Sequence, residues 1–600
     1  MGGITMTYEE IYAMLSDLPE NRLPAALDVS LEEKRQQLLT KDVYKDYLAQ
    51  IRAEAKKYRE TPAVSIPYSA FKLYETTGDR GVFQKYYFGN RGRMATLALA
   101  VWLYGEEDDI HALEDALWTV CDEYTWCLPA HLGGTGLKKV QDEGHIIDLF
   151  AAETGCTLSE IIALVGDKLA PIVVKRMRYL VQERVLARYL ETDFGWERAK
   201  NNWAAVCAGS VGVAALYEAK DTEQLARIVK KLDAAMESYV SSFPEDGTSM
   251  EGISYWTYGF SFFVAYAEML ARLTHGKMDW FTDPRVHQIA LFQQKAYFEN
   301  YNIIKFADCG RGDTTRWWGL TSYLKSRYSD VEFLPRDYFA AYTGDGCYRW
   351  AGMLRDLVWS NDAYPDNNQS DHCYIQPDAQ WLICNSKEAG VSFVAKGGSN
   401  NESHNHNDVG NIEMFKNGDE VLMDCGSGVY NADYFGPKRY EQFVTSSRGH
   451  SVPIIDGQYQ QPGAEFRAED VQFGEWFIDM NIAPAYGLEN LDSLRRRVAF
   501  DTAAGRVTIT DTYAFSAPAQ EITERFVSYS KPTVEEGKVI LTGPNSTAVI
   551  IYDAAAFTAS TSVEHPLEGR YDKVGDGSVY VVDFIAKNPD KNAVYTFTIE

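Results

Sequence analysis

From Tyr8 to Thr343 the apolar residues recur at the three- and four-residue spacing of helices that bury one face, as in Ile172-Val173-Val174-Lys175-Arg176-Met177-Arg178-Tyr179-Leu180-Val181 and Leu225–Val240. Short segments bearing Gly and Pro separate them, a pattern that suits a toroid of helical hairpins. From Gln380 onward the rhythm shortens. Gln380–Cys384, Val391–Ala395, Arg506–Thr512, Lys538–Thr542, Val549–Tyr552, Val579–Ile585 and Ala593–Ile599 are brief, rich in β-branched and aromatic residues, and separated by Gly, Asp and Asn. These segments predict antiparallel strands packed as a β-sandwich. The polar stretch Tyr364-Pro365-Asp366-Asn367-Asn368-Gln369-Ser370-Asp371 lies between the two rhythms and reads as a linker. The expected organisation is multidomain α and β, with a helical domain over 1–363, a linker over 364–379 and an antiparallel β domain over 380–600.

Composition narrows the class. A chain of 600 residues with 46% hydrophobic residues exceeds what one core usually supports. No apolar run approaches the length of a membrane span, so no membrane partner is expected. Met1 to Leu18 mixes Glu9, Glu10 and Asp17 with its apolar residues and lacks a basic flank, which predicts a cytoplasmic protein, or a periplasmic or secreted one if a leader has been removed. Nine cysteines are scattered without a C-x-x-C and read as reduced thiols. The net charge of −27 argues against a nucleic-acid partner. An acidic polysaccharide can still bind where Arg and Lys cluster, because at physiological salt the field is screened within about 8 Å. Oligomeric state is left open, a homodimer included.

The candidate chemistry concentrates in Ser403-His404-Asn405-His406-Asn407-Asp408-Val409-Gly410, followed by Asp424 and His450, which together hold three of the ten histidines. Two imidazoles and one carboxylate suit Zn²⁺ or a similar divalent ion. If residues 403–406 are extended, His404 and His406 share a face, so that one holds a metal while the other faces a substrate. Lys416-Asn417-Gly418-Asp419 reads as a tight turn, and an ideal two-residue hairpin sets Asp424 opposite Asn411 instead of His406. The site therefore requires a break in the strand near Gly410.

The helical half carries its own polar cluster. Lys200-Asn201-Asn202-Trp203 opens a small-residue helix, Ala204–Tyr217, where Asn ordinarily caps. Some fifty residues on, Pro244-Glu245-Asp246-Gly247-Thr248-Ser249-Met250-Glu251-Gly252 leads into Ile253-Ser254-Tyr255-Trp256-Thr257-Tyr258-Gly259. Trp256 and Phe260 read as core, whereas Tyr255 and Tyr258 need partners if their hydroxyls are buried. Tyr86-Tyr87-Phe88-Gly89-Asn90-Arg91 and Tyr124–His131 add aromatic and polar groups of the kind that hold sugar rings, which makes Asn90, Arg91 and His131 candidates for substrate contact.

Taken in order, Asn-Asn-Trp, Asp-Gly…Glu-Gly…Tyr-Trp-x-Tyr-Gly, His-x-His-Asn-Asp-x-Gly, a later Asp-x-Gly and a final His before Asp456-Gly457 resemble the heparinase II/III-like polysaccharide lyases, which include related alginate and oligoalginate lyases. The resemblance implies an N-terminal incomplete (α/α) toroid followed by a C-terminal antiparallel β-sandwich, and β-elimination on uronic acid glycans of glycosaminoglycan or alginate type, giving 4,5-unsaturated products. It implies that Asn202, with Asn201, stabilises charge on the uronate carboxylate, and that Tyr258 donates a proton to the leaving oxygen and in some geometries takes the C5 proton. His404 matches the histidine that neutralises the carboxylate or acts as base. His406, Asp424 and His450 match ligands of a structural Zn²⁺ that braces the loop carrying His404. Where several relatives carry a histidine beside the neutralising asparagine, this chain has Asn202. Tyr430, Tyr434 and Tyr440 compete for a second-tyrosine base, with Tyr434 favoured, and Tyr255 stands as the alternative to Tyr258 three residues away.

Two other classes use some of the same residues. A toroidal glycoside hydrolase acting on uronate oligosaccharides would draft two carboxylates from Asp246, Glu251 and Asp308 but leaves the histidines unexplained. A cupin-like metal or carbohydrate-binding protein would use the His-x-His pair on a β-sandwich, but Glu413 lies farther along than the usual cupin spacing and the helical half is left without a task.

Overall fold

The computed structural model describes residues 6–16, 30–132, 146–298, 302–310, 317–335, 338–360, 371–567 and 576–600. Part of the expected linker, 364–370, lies outside them. The chain divides into two compact units. One comprises Met1–Ser242, Tyr255–Ala290 and Thr315–Pro365, and the other Phe243–Ser254, Leu291–Thr314 and Asp366–Glu600. The change of sequence rhythm is thus not the whole boundary, because two stretches from within the helical half belong to the second unit.

The first unit is helical, and its helices start where the chemistry of capping says they should. The Asp148 carboxylate accepts the Ala151 N–H at 2.7 Å and opens α1, Leu149–Val165. Asn201 accepts the Trp203 N–H at 3.1 Å and opens α2, Asn202–Glu218. Asp221 does the same for Thr222–Val240, whose Leu225, Ile228, Val229, Leu232, Met236 and Tyr239 form the buried stripe read from the sequence. Over Leu149–Lys168 the chain is long and apolar enough to cross a membrane by length and composition, contrary to the sequence reading, but 89% of that window is buried within the fold. It is a core helix, apolar all round because neighbours surround it.

Ile253–Leu273 forms α3, and its approach to α2 is set by glycine. A Cβ at Gly209 would lie 2.3 Å from the Phe262 carbonyl oxygen, and one at Gly259 would lie 3.1 Å from the Asn202 Cβ. Larger residues at either position would separate the two helices.

The second unit is built of antiparallel sheets. Five strands, β1 His372–Gln376, β2 Trp381–Ser386, β3 Val391–Lys396, β4 Ile412–Lys416 and β5 Asp419–Leu422, lie in that order in one sheet. β1 falls inside the segment read as a linker and pairs with β2 along its whole length, so the β unit begins earlier than expected. An eight-stranded sheet contains Leu491–Asp501, Arg506–Phe515 and Asn592–Ile599 side by side, and a four-stranded sheet contains Ile522–Ser528 and Val579–Ala586. Phe393 from the first sheet, Val498, Ile509 and Phe597 from the second and Phe526 and Phe584 from the third share one core. All seven strands read from the sequence are present, Lys538–Thr542 with both ends as read and the others with ends moved by at most three residues.

Register produces one contact that the sequence does not announce. Cys373 of β1 lies directly opposite Cys384 of β2, with their Sγ atoms 3.0 Å apart. Cysteines scattered along the chain are here adjacent in space, both as free thiols.

Candidate active site

The β unit gathers its functional side chains around one buried carboxylate, Asp308, whose side chain is fully excluded from solvent. It accepts hydrogen bonds from His404 Nδ1 at 2.7 Å and His406 Nε2 at 3.1 Å, from Arg439 Nη2 at 3.1 Å on each oxygen, and from the Tyr434 hydroxyl. Burial would raise its pKa, but the bonds from His404 and His406 and the charges of His404 and Arg439 outweigh burial and hold the carboxyl well below the usual carboxylate range. Asp308 entered the sequence reading only as a candidate hydrolase carboxylate.

Residues 403–406 are not an extended strand. Ser403 and His404 lie in a turn, and His404 has φ of 59°, a left-handed conformation that a non-glycine residue holds only where its surroundings impose it. Here the two imidazoles meet by converging on Asp308, not by alternation along a strand. Since His404 Nδ1–H is donated to Asp308, Nε2 is its remaining nitrogen, 3.7 Å from a Glu251 carboxylate oxygen. Burial lowers the pKa of His404, and the hydrogen bond and charge of Asp308 more than reverse this, so the ring is raised above its ordinary value.

His406, Asp424 and His450 are fully buried, and each offers one ligand atom within 4.8 Å of the others. His406 Nε2 is engaged by Asp308 and His450 Nε2 by the Val444 carbonyl at 3.0 Å, so each imidazole turns its Nδ1 toward Asp424. His406 Nδ1 has no hydrogen-bond partner, an orphaned buried nitrogen that fits a metal ligand. The hairpin behaves as the turn chemistry requires: Asn417 and Gly418 both have positive φ and Lys416 pairs with Asp419. Asp424 indeed meets Asn411, whose amide donates to it at 3.0 Å. The break in register falls between Met414 and Phe415, inside β4, while Gly410, with φ of 88°, lies in the turn before β4 begins.

Arg496, absent from the sequence reading, ties this region to the sandwich. It is 1% exposed, grips Asp511 with two hydrogen bonds of 2.8 and 2.6 Å, and donates to the carbonyls of Gly410 and Ser451 at 3.0 and 2.7 Å. Those carbonyls flank Asn411 and His450. Nothing in the local sequence of a strand marks such an arginine, because its partners are distant along the chain.

The helical unit holds the second constellation. Asn202 is the first residue of α2 and is 1% exposed, and the close approach at Gly259 sets it against the turn of α3 that carries Tyr258. The Tyr258 hydroxyl donates to Glu153 of α1, and the Arg349 guanidinium lies 4.0 Å from the centre of its ring. Burial raises Glu153 to about 7, against the lowering effects of Arg349 and the Tyr258 hydrogen bond. Burial likewise pushes the Tyr258 phenol well above its usual range, and the charge of Glu153 adds to this. Tyr255 is half-buried on the same helix.

Other expectations change. Asn90 and Arg91, read as substrate contacts, are 5% and 6% exposed, and both donate to Glu123, Arg91 through two bonds of 2.8 Å. Their charge and hydrogen-bonding capacity are consumed in holding helices together. His131 donates from Nδ1 to the Asp148 carboxylate at 2.7 Å, stacks on Phe150 and meets the edge of Trp203, next to Asn202. Tyr434, favoured as a base, is fully buried with its hydroxyl given to Asp308, which makes it a brace for the carboxylate. Tyr440 donates to Asn405 at 2.8 Å, and Tyr430 stacks near Tyr434.

Residues 377–568 match the family model described as heparinase II/III-like, C-terminal. The chain carries a heparinase II/III-like domain. Solved structures extend the likeness to nearly its whole length, at low identity. Heparinase III superposes with a TM-score of 0.59 at 14% identity, covering 98% of this chain and 93% of that one. A mutant of the heparan sulfate lyase HepC from Pedobacter heparinus gives 0.57 at 15%, covering 99% and 93%. The Streptomyces coelicolor A3 chondroitin AC lyase in complex with chondroitin sulphate gives 0.55 at 12%, covering 95% and 82%. The heparinase-like architecture, a helical toroid followed by an antiparallel β-sandwich, is therefore that of this chain. No curated protein matches the sequence.

Asp308→Asn preserves size but leaves buried cationic partners without their counter-charge, and is expected to destabilise the β unit by roughly 3–5 kcal/mol. Calorimetric melting that does not move, with the His404 ring unchanged in a crystal structure of the variant, would remove Asp308 from the centre of the site.

Proposed function

We propose that the protein is a polysaccharide lyase that cleaves acidic glycans containing uronic acid by β-elimination, leaving a 4,5-unsaturated uronate. The observation that carries this reading is the provision made for each imidazole and phenol. His404 has Nδ1 locked on Asp308 and Nε2 set 3.7 Å from a Glu251 oxygen, while Tyr258 stands beside Asn202 on closely packed helices and gives its hydroxyl proton to Glu153. The fold shared with heparan sulfate and chondroitin lyases supports it.

The uronate C5 proton is weakly acidic, and its removal becomes feasible when charge building on the adjacent carboxylate meets positioned donors. The Asn202 amide, beside Tyr258, supplies such a donor in the proposal. Tyr258 takes the C5 proton and returns one to the departing O4, which fits a chain whose Tyr434 is already committed to Asp308. His406 Nδ1, His450 Nδ1 and an Asp424 oxygen would hold a Zn²⁺ ion. Bound there, the ion would supply rigidity to the loop that begins at His404, not a nucleophile.

The hydrolase reading loses two of its three carboxylates, and it needs a pair. Asp308 is sealed by five donor contacts, and Asp246 accepts the backbone N–H groups of Thr248, Asp378 and Ala379. Glu413, needed by the cupin reading, is committed to the Lys305 N–H at 2.9 and 3.2 Å.

A panel of uronic acid polymers and their oligosaccharides, followed by the ultraviolet absorbance of the conjugated C4–C5 alkene, should identify at least one substrate. On it Tyr258→Phe should lower kcat by roughly 10²–10⁴ with the fold intact. Absence of the chromophore on every member, or full activity in Tyr258→Phe, would sink the reading. Elemental analysis should find about one divalent ion per chain, and His406→Ala should lose the ion together with thermal stability. A metal-free wild-type protein with unchanged melting would remove the ion from the proposal.

A further inference from the structure

The Tyr258 hydroxyl points its proton at Glu153, and this has a consequence for the direction of proton flow. A phenol that donates its only proton to a neighbour presents an oxygen lone pair to anything else. We propose that Glu153 is the proton partner of Tyr258, a positioning residue that accepts the phenol proton as Tyr258 takes the C5 proton. The step balances: C5–H breaks as a tyrosyl O–H forms, and the original tyrosyl proton moves to a Glu153 oxygen. When C4–O4 breaks with its electron pair going to oxygen, Tyr258 gives that oxygen a proton and Glu153 returns its own to Tyr258. This deepens the lyase reading and rests on it.

The surroundings fit a group that must change charge. Glu153 sits on α1 with its side chain 11% exposed, 3.9 Å from Arg349, which is itself neutralised by Asp345 at 2.8 Å. The charged and titratable groups facing it are Arg349 and Asp345 from the segment before Trp350, Tyr258 from α3 and Asp148 at the start of α1. A cavity of about 20 Å³ lined by Glu153, Thr157, Arg91 and Arg349 has room for roughly one water, a route for proton exchange. Because Glu153 must be ionised to accept, and burial places its titration at about 7, kcat/KM should rise with pH through that range and then level off.

Glu153→Gln separates the roles. The amide oxygen can still accept the Tyr258 hydrogen bond, so a merely structural residue would be rescued, whereas a proton acceptor would not. Expected are a ten- to hundred-fold fall in kcat, an unchanged KM, and disappearance of the acid limb of the pH profile. Infrared titration of the wild-type protein without substrate should show a protonated carboxyl band that vanishes as pH rises through about 7 and is missing in the variant. Wild-type kinetics in Glu153→Gln, with Tyr258→Phe inactive, overturns the inference and leaves the lyase reading standing. No turnover of any polymer sinks the lyase reading, and absence of the infrared band then rejects Glu153 as well.

A separate observation concerns β1 and β2. Opposed residues of an antiparallel pair have Cα atoms about 4.5–5.5 Å apart, within the range a disulfide spans, and the Cys373 and Cys384 sulfurs already touch at 3.0 Å. From this juxtaposition we infer that Cys373 and Cys384 form a peroxide-sensitive dithiol. Cys373 is the half-exposed member; the hydrogen bond from Cys384 lowers its pKa, which favours the nucleophilic thiolate. Its sulfur attacks a peroxide oxygen, breaking O–O and giving a sulfenic acid and water. The Cys384 sulfur then displaces the second oxygen as water, closing the S–S bond, so one peroxide is reduced to two waters as two thiols are oxidised.

Hydrogen peroxide added to the intact protein should remove two of the nine titratable thiols, with a mass loss of two hydrogens and one linked peptide pair containing residues 373 and 384. Cys384→Ser should leave Cys373 as a sulfenic acid trapped by dimedone. Oxidation spread over other cysteines, or a stable sulfenic acid at Cys373 in the wild type, overturns the inference.

Discussion

The β-unit site depends on a single carboxylate that is never exposed. Asp308 brings His404, His406, Tyr434 and Arg439 to a common point, and each would otherwise be a buried polar group in search of a partner. One anion thereby fixes the tautomer of two imidazoles with different expected tasks. His404 turns Nε2 toward Glu251, and His406 turns Nδ1 toward Asp424. The left-handed backbone at His404 becomes intelligible in the same way, since an unfavourable conformation persists only where stronger interactions overdetermine it.

Around that point the molecule uses buried charge for placement. Arg496 grips Asp511 on the sandwich side and two loop carbonyls on the other, converting strand rigidity into loop rigidity. Arg91 with Glu123, and Arg355 with Glu160 through bonds of 2.9 and 3.0 Å, do similar service between helices. Such pairs are weak evidence for stability, because desolvation offsets much of their attraction, but they strongly penalise any arrangement that leaves one member alone. Specific placement is what a site built from loops needs.

Much of this was legible in the residues, and the limits have physical causes. Period alone separated helices from strands, and Asn417-Gly418 placed the hairpin turn and required a break in register, which falls between Met414 and Phe415 and not at Gly410. The cluster of His406, Asp424 and His450 followed from motif order. What could not be read was which partner each polar group finds. Asn90 and Arg91 lie in an aromatic, polar stretch that suits a sugar surface, yet Glu123 claims them from another helix. Tyr434 was favoured over Tyr430 and Tyr440 on the family resemblance, but its hydroxyl answers to Asp308, more than a hundred residues earlier. Glu153, Arg349 and Arg496 act through tertiary contacts alone.

The division of the chain gives Asp308 a further meaning. It lies in Leu291–Thr314, a stretch embedded in the helical half of the sequence yet belonging to the β unit, as does Phe243–Ser254 with Glu251. The β unit is therefore not a detachable cassette. Recombination or gene fission at the change of rhythm near residue 371 would carry away every strand and leave behind the carboxylate that organises them. Ancestry by fusion of a free-standing toroid with a free-standing sandwich would have required this interleaving to arise afterwards, and it binds the two parts of the gene into one inherited piece.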